Sequence, residues 1–249
     1  LFSVFFRQDA ERPCIRIPAC SYNVIASQQL PLDPFSKHHG KDPGHTQFYY
    51  PKKCGYGELW LRMAMALGDH VVYDAYVKGI DFTTKTVTTA DGGKYSADII
   101  ITTIPWMEFD EIIGMPDDLR EGIGDLKFSS IQTEYHPEGI KTDSHWVYYP
   151  DPALSYHRIL VRHNFCPNSR GYWTETNKER VEFEESDKNF KYMNKYAYPL
   201  NTIRKPEIMK RLLTWSREQN VFGLGRWGEH SHYNSDVTVD LAIRLADVL

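Results

Sequence analysis

The chain has 249 residues, of which 41% are hydrophobic and 25% are charged, and its net charge is −4. This length allows one large domain or two small ones with a real core. The slightly acidic balance argues against a general nucleic-acid binder. No apolar run reaches the roughly 20 residues that a membrane span needs. We therefore expect a globular protein with neither a nucleic-acid partner nor a membrane span.

The four cysteines form no CxxC pair and no metal-ligand spacing. This pattern predicts free thiols in a reducing compartment and hence a cytoplasmic location, although a Cys14–Cys20 disulfide stays open as an alternative. Ten histidines invite a metal hypothesis, but His38 and His39 lie in a loop rich in proline and glycine. Neighbouring residues rarely point at one metal, so we predict no metal site. No signal peptide is recognisable.

The chain starts at Leu1 rather than at methionine, and residues 1–6 already have the pattern of a strand or a buried segment. No Gly-x-Gly-x-x-Gly follows a first strand. We therefore expect a fragment whose amino-terminal part is missing.

The first half of the chain contains a short helix and then a clear β region. Residues 58–67 are amphipathic and end at Gly68, which predicts a helix. Short strands are expected at 71–73, 76–80 and 86–89. A hairpin-type turn at 91–93 then leads into one strand over residues 95–104, which Pro105 ends.

The second half begins with helix and turn at 107–124. A second β-rich region follows, with strands at 129–135, 146–149 and 157–163. The polar residues 168–190 predict a surface excursion. Residues 206–217 form the next predicted helix, with Pro206 in its first turn.

The C-terminal stretch is the most informative part of the sequence. The apolar strand at 221–224 leads into Gly225-Arg226-Trp227-Gly228, and capping residues at 234–236 open an amphipathic helix. The first turn of such a helix presents unbonded N–H groups and a positive dipole end, which suit a pyrophosphate. Glycine lets the backbone approach a flat cofactor, and Arg226 adds a fixed charge. The pattern predicts the last element of a flavin-binding domain.

Five segments in one order resemble UDP-galactopyranose mutases, FAD proteins of the amine-oxidase-like flavoprotein superfamily. The segments are the β region 71–104, residues 146–150, residues 156–159, residues 198–201 and the glycine turn 225–228. The likeness runs from about residue 46 to the end.

The resemblance implies an α+β fold, in which an α/β FAD-domain remnant accompanies a twisted antiparallel sheet that binds the substrate. Residues 1–50 would be a sheet and loop part of the substrate domain, and 51–110 would be strands and a helix of the FAD domain. Residues 111–205 would form the substrate sheet, and 206–249 the last FAD-domain strand and helix.

The implied activity is a redox-neutral change of ring size in a UDP-sugar, with FAD as the cofactor. Reduced flavin would attack the anomeric carbon and displace UDP, which returns after the ring recloses. Arginines and tyrosines suit the diphosphate that must be held. The resemblance also allows a homo-oligomer.

The resemblance assigns catalytic roles to four residues. Arg158 would clamp the diphosphate, and its structural alternative is a surface arginine on a strand. Tyr198 would donate to the diphosphate, or else be an aromatic at the edge of the core. Tyr148 would line the sugar cleft, and Lys53 would stand where fungal-like members have an arginine.

Further residues would contact the cofactor. Gly55 would lie near the flavin ring, Val77 would meet the adenosine through its backbone, and Thr103 would approach the diphosphate of FAD. The C-terminal cofactor contacts would be Gly225, Arg226, Asp236 and Val237. The alternative for Arg226 is a capping arginine on a turn.

The sequence also departs from the family. Cys20 occupies the place of a second diphosphate arginine in bacterial members, and Ile104 replaces a glycine beside the cofactor. His232 falls where the family has its second diphosphate tyrosine, with Tyr233 one residue out of register. Asn234 replaces the acidic residue that follows. We assign His232 and Asn234 to substrate binding, in a weakened grip on the diphosphate.

Two other functions stay open. One is an FAD oxidoreductase of the amine-oxidase or desaturase type, whose apolar or cationic pocket the many aromatic residues would line. The other is a non-catalytic carbohydrate-binding module, in which exposed aromatic residues stack on sugar faces.

Overall fold

The computed structural model describes residues 22–26, 47–51, 55–178 and 190–249. Lys53, Cys14 and Cys20 lie outside the described residues, and so does the strand predicted at the start of the chain. Within the described residues, helices combine with mainly antiparallel strands, which confirms the predicted α+β class.

The described strands are short, and most belong to antiparallel pairs. They are β1 (Tyr22–Ala26), β2 (Gln47–Pro51), β3 (Val77–Asp81), β4 (Thr86–Thr89), β5 (Lys94–Ser96), β6 (Ile100–Thr102), β7 (Glu111–Ile113), β8 (Phe128–His136), β9 (Trp146–Tyr148), β10 (Arg158–Val161), β11 (Tyr172–Asn177), β12 (Lys191–Pro199) and β13 (Val221–Gly223). The α-helices are α1 (Gly55–Leu67), α2 (Asp117–Gly124), α3 (Arg162–Phe165), α4 (Lys205–Glu218), α5 (Gly225–Gly228) and α6 (Ser235–Val248).

The chain divides into two compact units. The first contains Leu67–Ser129 and Tyr196–Leu249, and the second contains the described residues between 22 and 66 together with Ser130–Lys195. The first unit has a sheet with the order β5-β4-β3-β7 and a separate parallel pair, β13-β6. Its core joins strands to α2 and α4, with Trp106 and Leu212 fully buried.

The parallel pair β6–β13 joins parts of the first unit that are far apart in sequence. Val221 pairs with Ile100 and Gly223 with Thr102. The buried Trp106 indole then donates to the carbonyl of Gly228 at 2.8 Å. The predicted C-terminal strand and turn are therefore packed against the end of the first β region.

The second unit is built on an antiparallel sheet with the order β12-β8-β11-β10-β9. The strands β1 and β2 form a second, two-stranded antiparallel sheet. Helix α1 begins at Gly55, three residues earlier than the sequence predicts. Gly55 has a φ of +76°, a conformation that favours glycine.

Two predictions about the strands were wrong. Residues 95–104 form two strands in different sheets, because the chain bends at residues 98–99 between β5, which pairs with β4, and β6, which pairs with β13. The polar stretch 168–190 contains β11, which lies in the middle of the five-stranded sheet with Thr174, Glu175 and Thr176 buried. Buried polar residues gave this strand the composition of a surface segment.

Two smaller differences concern short segments. Residues 107–124 contain β7, which pairs in parallel with β3 and was not predicted. At 71–73 the structure has an isolated bridge at Val71 rather than a strand.

The contact between the C-terminal turn and β6 leaves no room for a side chain at Gly228. A Cβ there would lie 2.3 Å from the Thr102 carbonyl oxygen. Because this neighbour is backbone, we expect Gly228→Ala to lower the free energy of unfolding by about 1–3 kcal/mol. Urea unfolding would measure the change. In Gly124→Ala, where a Cβ would meet nothing within 4 Å, the change should stay within about 0.5 kcal/mol. Equal effects in the two variants would contradict the tight contact.

Candidate functional site

The carboxyl ends of β6 and β13 meet at one edge of the first unit. The Thr102 carbonyl accepts the Leu224 N–H at 2.9 Å, and Thr103 is exposed just beyond it. The turn after β13 opens at Gly225, whose φ is +74°. In open α/β sheets, ligands bind at such an edge, where the strands end and a helix begins. The predicted residues Thr103 and Gly225 both lie there.

The loop 229–234 separates this turn from helix α6. Its N-cap is Asn234, whose side chain makes no capping hydrogen bond, and the Thr238 N–H donates to the Asn234 carbonyl at 3.0 Å. The N–H groups of residues 235–237 precede this bond, so the helix itself gives them no acceptor. The predicted cofactor residues Asp236 and Val237 are exposed in this first turn. The arrangement fits a hydrogen-bond-accepting or anionic part of a cofactor, although the Asp236 carboxylate already offsets part of the dipole.

Three of the predicted site residues form a stack in the first unit. The Arg226 guanidinium lies 5.3 Å from the centre of the Tyr198 ring. Tyr198 also lies beside His232, whose exposed ring is nearly parallel to it at 4.9 Å. Arg226 also donates from Nη1 to the Ala197 carbonyl at 3.1 Å and from Nη2 to the Tyr233 carbonyl at 2.9 Å. Arg226 therefore ties β12 to the loop before α6, and its charge stays beside the turn.

Two titratable residues of this loop, one partly and one fully buried, were not among the predicted residues. The Glu229 N–H donates to the Gly225 carbonyl at 3.0 Å. Burial raises the pKa of the Glu229 carboxyl, and a hydrogen bond from the Gly225 backbone partly opposes this rise. His230 is fully buried with a φ of +47°. Their spacing after Gly-x-x-Gly is the signal that could have identified them.

His230 is held in its neutral form. Its Nε2 lies 3.0 Å from the Lys127 carbonyl oxygen, which can only accept, so Nε2 carries the proton. Nδ1 has no hydrogen-bond partner within the described residues. Burial lowers the pKa of His230; the hydrogen bond to Lys127 opposes this effect, and the charge of Lys205 adds to it.

Val77 and Gly55 lie in different units. Val77 is buried in the core of the first unit, and its backbone pairs with Thr89. Gly55 belongs to the second unit, where an added Cβ would lie 3.0 Å from the Tyr50 hydroxyl. The position of Gly55 therefore has a packing reason of its own.

The sheet of the second unit carries a row of polar residues on one face, which we call the polar row. Cross-strand register places Tyr148 opposite Arg158, Arg158 opposite Glu175, and Glu175 opposite Thr133. Directly paired residues of an antiparallel sheet project from the same face.

A second row lies two residues along each strand on the same face, and we call it the aromatic row. Its members are Trp146, Leu160, Trp173 and Tyr135. The rings of Tyr135 and Trp173 are 5.1 Å apart. A polar row beside aromatic rings provides both hydrogen-bonding groups and apolar surfaces for a polyhydroxylated ligand.

Arg158 is the centre of the polar row. Its Nε donates to Glu175 Oε2 at 2.6 Å, Nη2 contacts the same oxygen, and Nη1 donates to the Tyr148 hydroxyl at 3.1 Å. The two side chains of the ion pair are only 17% and 12% exposed. The structure thus places the side chains of Arg158 and Tyr148 in contact. Glu175 also belongs to this site. It was not predicted, because residues 168–190 were expected to be a surface excursion.

Neither a metal-binding cluster nor a membrane-spanning helix is found among the described residues. There, no group of three or more His, Cys, Asp or Glu side chains is placed to hold a metal ion. No helix in the same ranges is long and apolar enough to cross a membrane.

The comparisons with known proteins agree with this architecture. No protein-family model matches the chain, and no curated protein matches it in sequence. A solved structure of reduced UDP-galactopyranose mutase is similar at 16% identity with a TM-score of 0.63, over 74% of this chain and 48% of that one. A CLA-producing fatty acid isomerase from P. acnes is similar at 12% identity with a TM-score of 0.57, over 78% of this chain and 52% of that one.

These similarities define the fold. The chain spans about half the length of the solved proteins it matches. At the level of the fold, the predicted resemblance to UDP-galactopyranose mutases is confirmed.

The buried neutral imidazole of His230 predicts a specific loss of stability in acid. The unfolded chain binds a proton at His230 below about pH 6.5, the ordinary value for histidine, whereas the folded chain resists protonation until the pH reaches its lowered pKa. The stability contributed by His230 is therefore complete above pH 6.5 and declines as the pH falls.

The matching variant is His230→Asn, because asparagine tolerates a positive φ. Urea unfolding between pH 8 and pH 5 should show the wild type losing stability relative to this variant as the pH falls. Parallel stability curves would contradict the assignment.

Proposed function

We propose that this chain belongs to a flavin-dependent enzyme that acts on a nucleotide sugar, as the resemblance to UDP-galactopyranose mutase implies. The single observation that carries the proposal is the parallel pairing of β13 with β6. It puts the glycine turn and the open first turn of α6 at one strand edge, which is a place suited to FAD. The resemblance supplies the identity of the cofactor.

In this proposal the cofactor contacts other than Gly55 come from the first unit. The N–H groups of residues 235–237 would face an acceptor on the cofactor, Thr103 would approach its diphosphate, and Arg226 would hold a positive charge beside the flavin. Gly225, Val77 and Gly55 keep the roles that the resemblance implies. A reduced flavin would supply the nucleophile for the change in ring size.

In the second unit, the proposed substrate contacts are the polar and aromatic rows. In the first unit, the resemblance assigns substrate contacts to Tyr198, His232 and Asn234. Arg158 would donate to diphosphate oxygens, Tyr148 would line the sugar cleft, and the aromatic row would pack against the sugar. Lys53 is proposed as a further cation toward the phosphates. A cytoplasmic location and a homo-oligomer also belong to the proposal; the free thiol of Cys166 is consistent with that location.

A second candidate is an FAD oxidoreductase with an apolar or cationic substrate. The observation that favours it is the Arg158–Glu175 ion pair, which leaves the polar row with little net charge. An uncharged substrate would then need no diphosphate clamp.

The full-length protein that contains this chain tests the proposal in two steps. Bound flavin should give a yellow protein with a visible absorbance band, and UDP should quench the tryptophan fluorescence of the reduced form. A colourless protein that still binds sugar would favour a carbohydrate-binding module. A yellow protein that fails to bind millimolar UDP would favour the oxidoreductase.

Arg158→Lys probes the diphosphate contact while it keeps a charge opposite Glu175. Arg158→Ala is less suitable, since leaving a buried carboxylate without its partner costs about 3–5 kcal/mol. Lysine cannot form the guanidinium fork, so we expect UDP to bind about tenfold more weakly, which corresponds to about 1.4 kcal/mol. Titration of the reduced protein measures the change. Arg211→Ala is the control. It removes an arginine of α4 that pairs with Asp118 of α2, and it should leave UDP affinity unchanged. An unchanged UDP affinity in Arg158→Lys would contradict a contact between the Arg158 guanidinium and the diphosphate.

A further inference from the structure

The Arg158 guanidinium already has an anionic partner inside the protein. Nε and Nη2 both contact Glu175 Oε2, and the two residues face each other directly across β10 and β11. The Glu175 residue is buried at 9% exposure. An arginine in this state has its charge compensated before any ligand arrives.

Burial makes this internal partner hard to replace. A phosphate that takes the guanidinium from Glu175 would leave a buried carboxylate with less compensation, and such a charge is strongly unfavourable. A ligand without negative charge gains nothing from the displacement. The ion pair therefore acts differently on charged and uncharged ligands.

We propose that Glu175 is a specificity-determining residue, which competes with the ligand's phosphates for Arg158 and thereby lowers the preference of the polar row for a diphosphate. This inference rests on the proposed function, because it concerns the nucleotide sugar assigned to the same site. Glu175 acts through Arg158 and has no assigned contact with substrate.

The test compares UDP with uridine on the flavin-loaded, reduced full-length protein. Glutamine keeps the size of Glu175 and can still accept from Arg158, but it carries no charge. We expect Glu175→Gln to bind UDP about tenfold more tightly, because a charge-assisted hydrogen bond becomes available to the phosphates. Uridine affinity should stay within about twofold, since uridine has no phosphate.

The matched control is Glu134→Gln on β8. Register puts Glu134 opposite Thr174, on the other face of the same sheet. This variant should leave both affinities unchanged. If Glu134→Gln raises UDP affinity as much as Glu175→Gln does, the effect is one of net charge and the proposal is overturned.

The double variant Arg158→Gln/Glu175→Gln separates competition from loosening of the sheet. The gain in UDP affinity must disappear in it, because the arginine that the phosphates would use is gone. A gain that persists without Arg158 overturns the proposal. An unchanged UDP affinity in folded Glu175→Gln does so as well.

Thermal unfolding of each variant establishes whether it is folded. If Glu175→Gln does not fold, Glu175→Asp provides the test. Its shorter side chain keeps the charge but reaches Arg158 less well, so UDP affinity should rise by about threefold. No rise in the folded aspartate variant overturns the proposal. If the wild type binds neither UDP nor uridine, the proposed function fails; binding of UDP without these shifts defeats the role of Glu175 alone.

Discussion

The backbone contact between β13 and β6 is the constraint on which the architecture of the first unit depends. The strands pair in parallel over three residues, and Leu224 then donates to Thr102 at the end of the pair. Gly223 and Gly228 bring backbone against backbone there: a Cβ on Gly223 would lie 2.3 Å from the Gly228 carbonyl oxygen. The position of α6 follows from this contact, because only the short loop 229–234 separates the helix from it.

The same contact explains why a partly buried and a fully buried titratable residue lie next to a proposed cofactor edge. Glu229 and His230 come directly after the glycine turn, and burial shifts the pKa of each toward its neutral form. The positive end of α6 and the guanidinium of Arg226 both contribute a positive field beside this loop. The sign of that field suits an anionic group, which is consistent with a flavin nucleotide.

Local patterns in the sequence were enough for much of the fold. The helix over 206–217 corresponds to α4, the hairpin around 91–93 joins β4 to β5, and the C-terminal strand, turn and helix were predicted in their correct order. Each has a signal within a few residues, such as proline in a first turn or glycine in a tight turn. Strand β11 has no such signal, because its buried centre is Thr174-Glu175-Thr176.

In the polar row, only the residues that the resemblance to a known family assigned were predicted. It supplied Arg158 and Tyr148 but not Glu175, because a single sequence does not reveal which strands are neighbours. Once β11 was taken for a surface segment, no residue on it could be paired with Arg158. Glu175, which the sequence analysis missed, changes the chemistry of the site because its carboxylate compensates the positive charge of Arg158 in the polar row.

If the proposed function holds, three features of the chain would weaken the hold on a diphosphate. Cys20 stands where the bacterial mutases have an arginine, His232 replaces a tyrosine, and Glu175 compensates Arg158. A weaker hold on the ground state raises KM but need not lower kcat, because only interactions that strengthen in the transition state accelerate a reaction. Negative charge grows on UDP as it leaves the sugar. Arg158 would be shared with Glu175 in the ground state and would move toward the phosphates as that charge develops. Such a shift would stabilise the transition state more than the bound substrate. On this argument, the departures from the family pattern are compatible with catalysis at higher substrate concentrations.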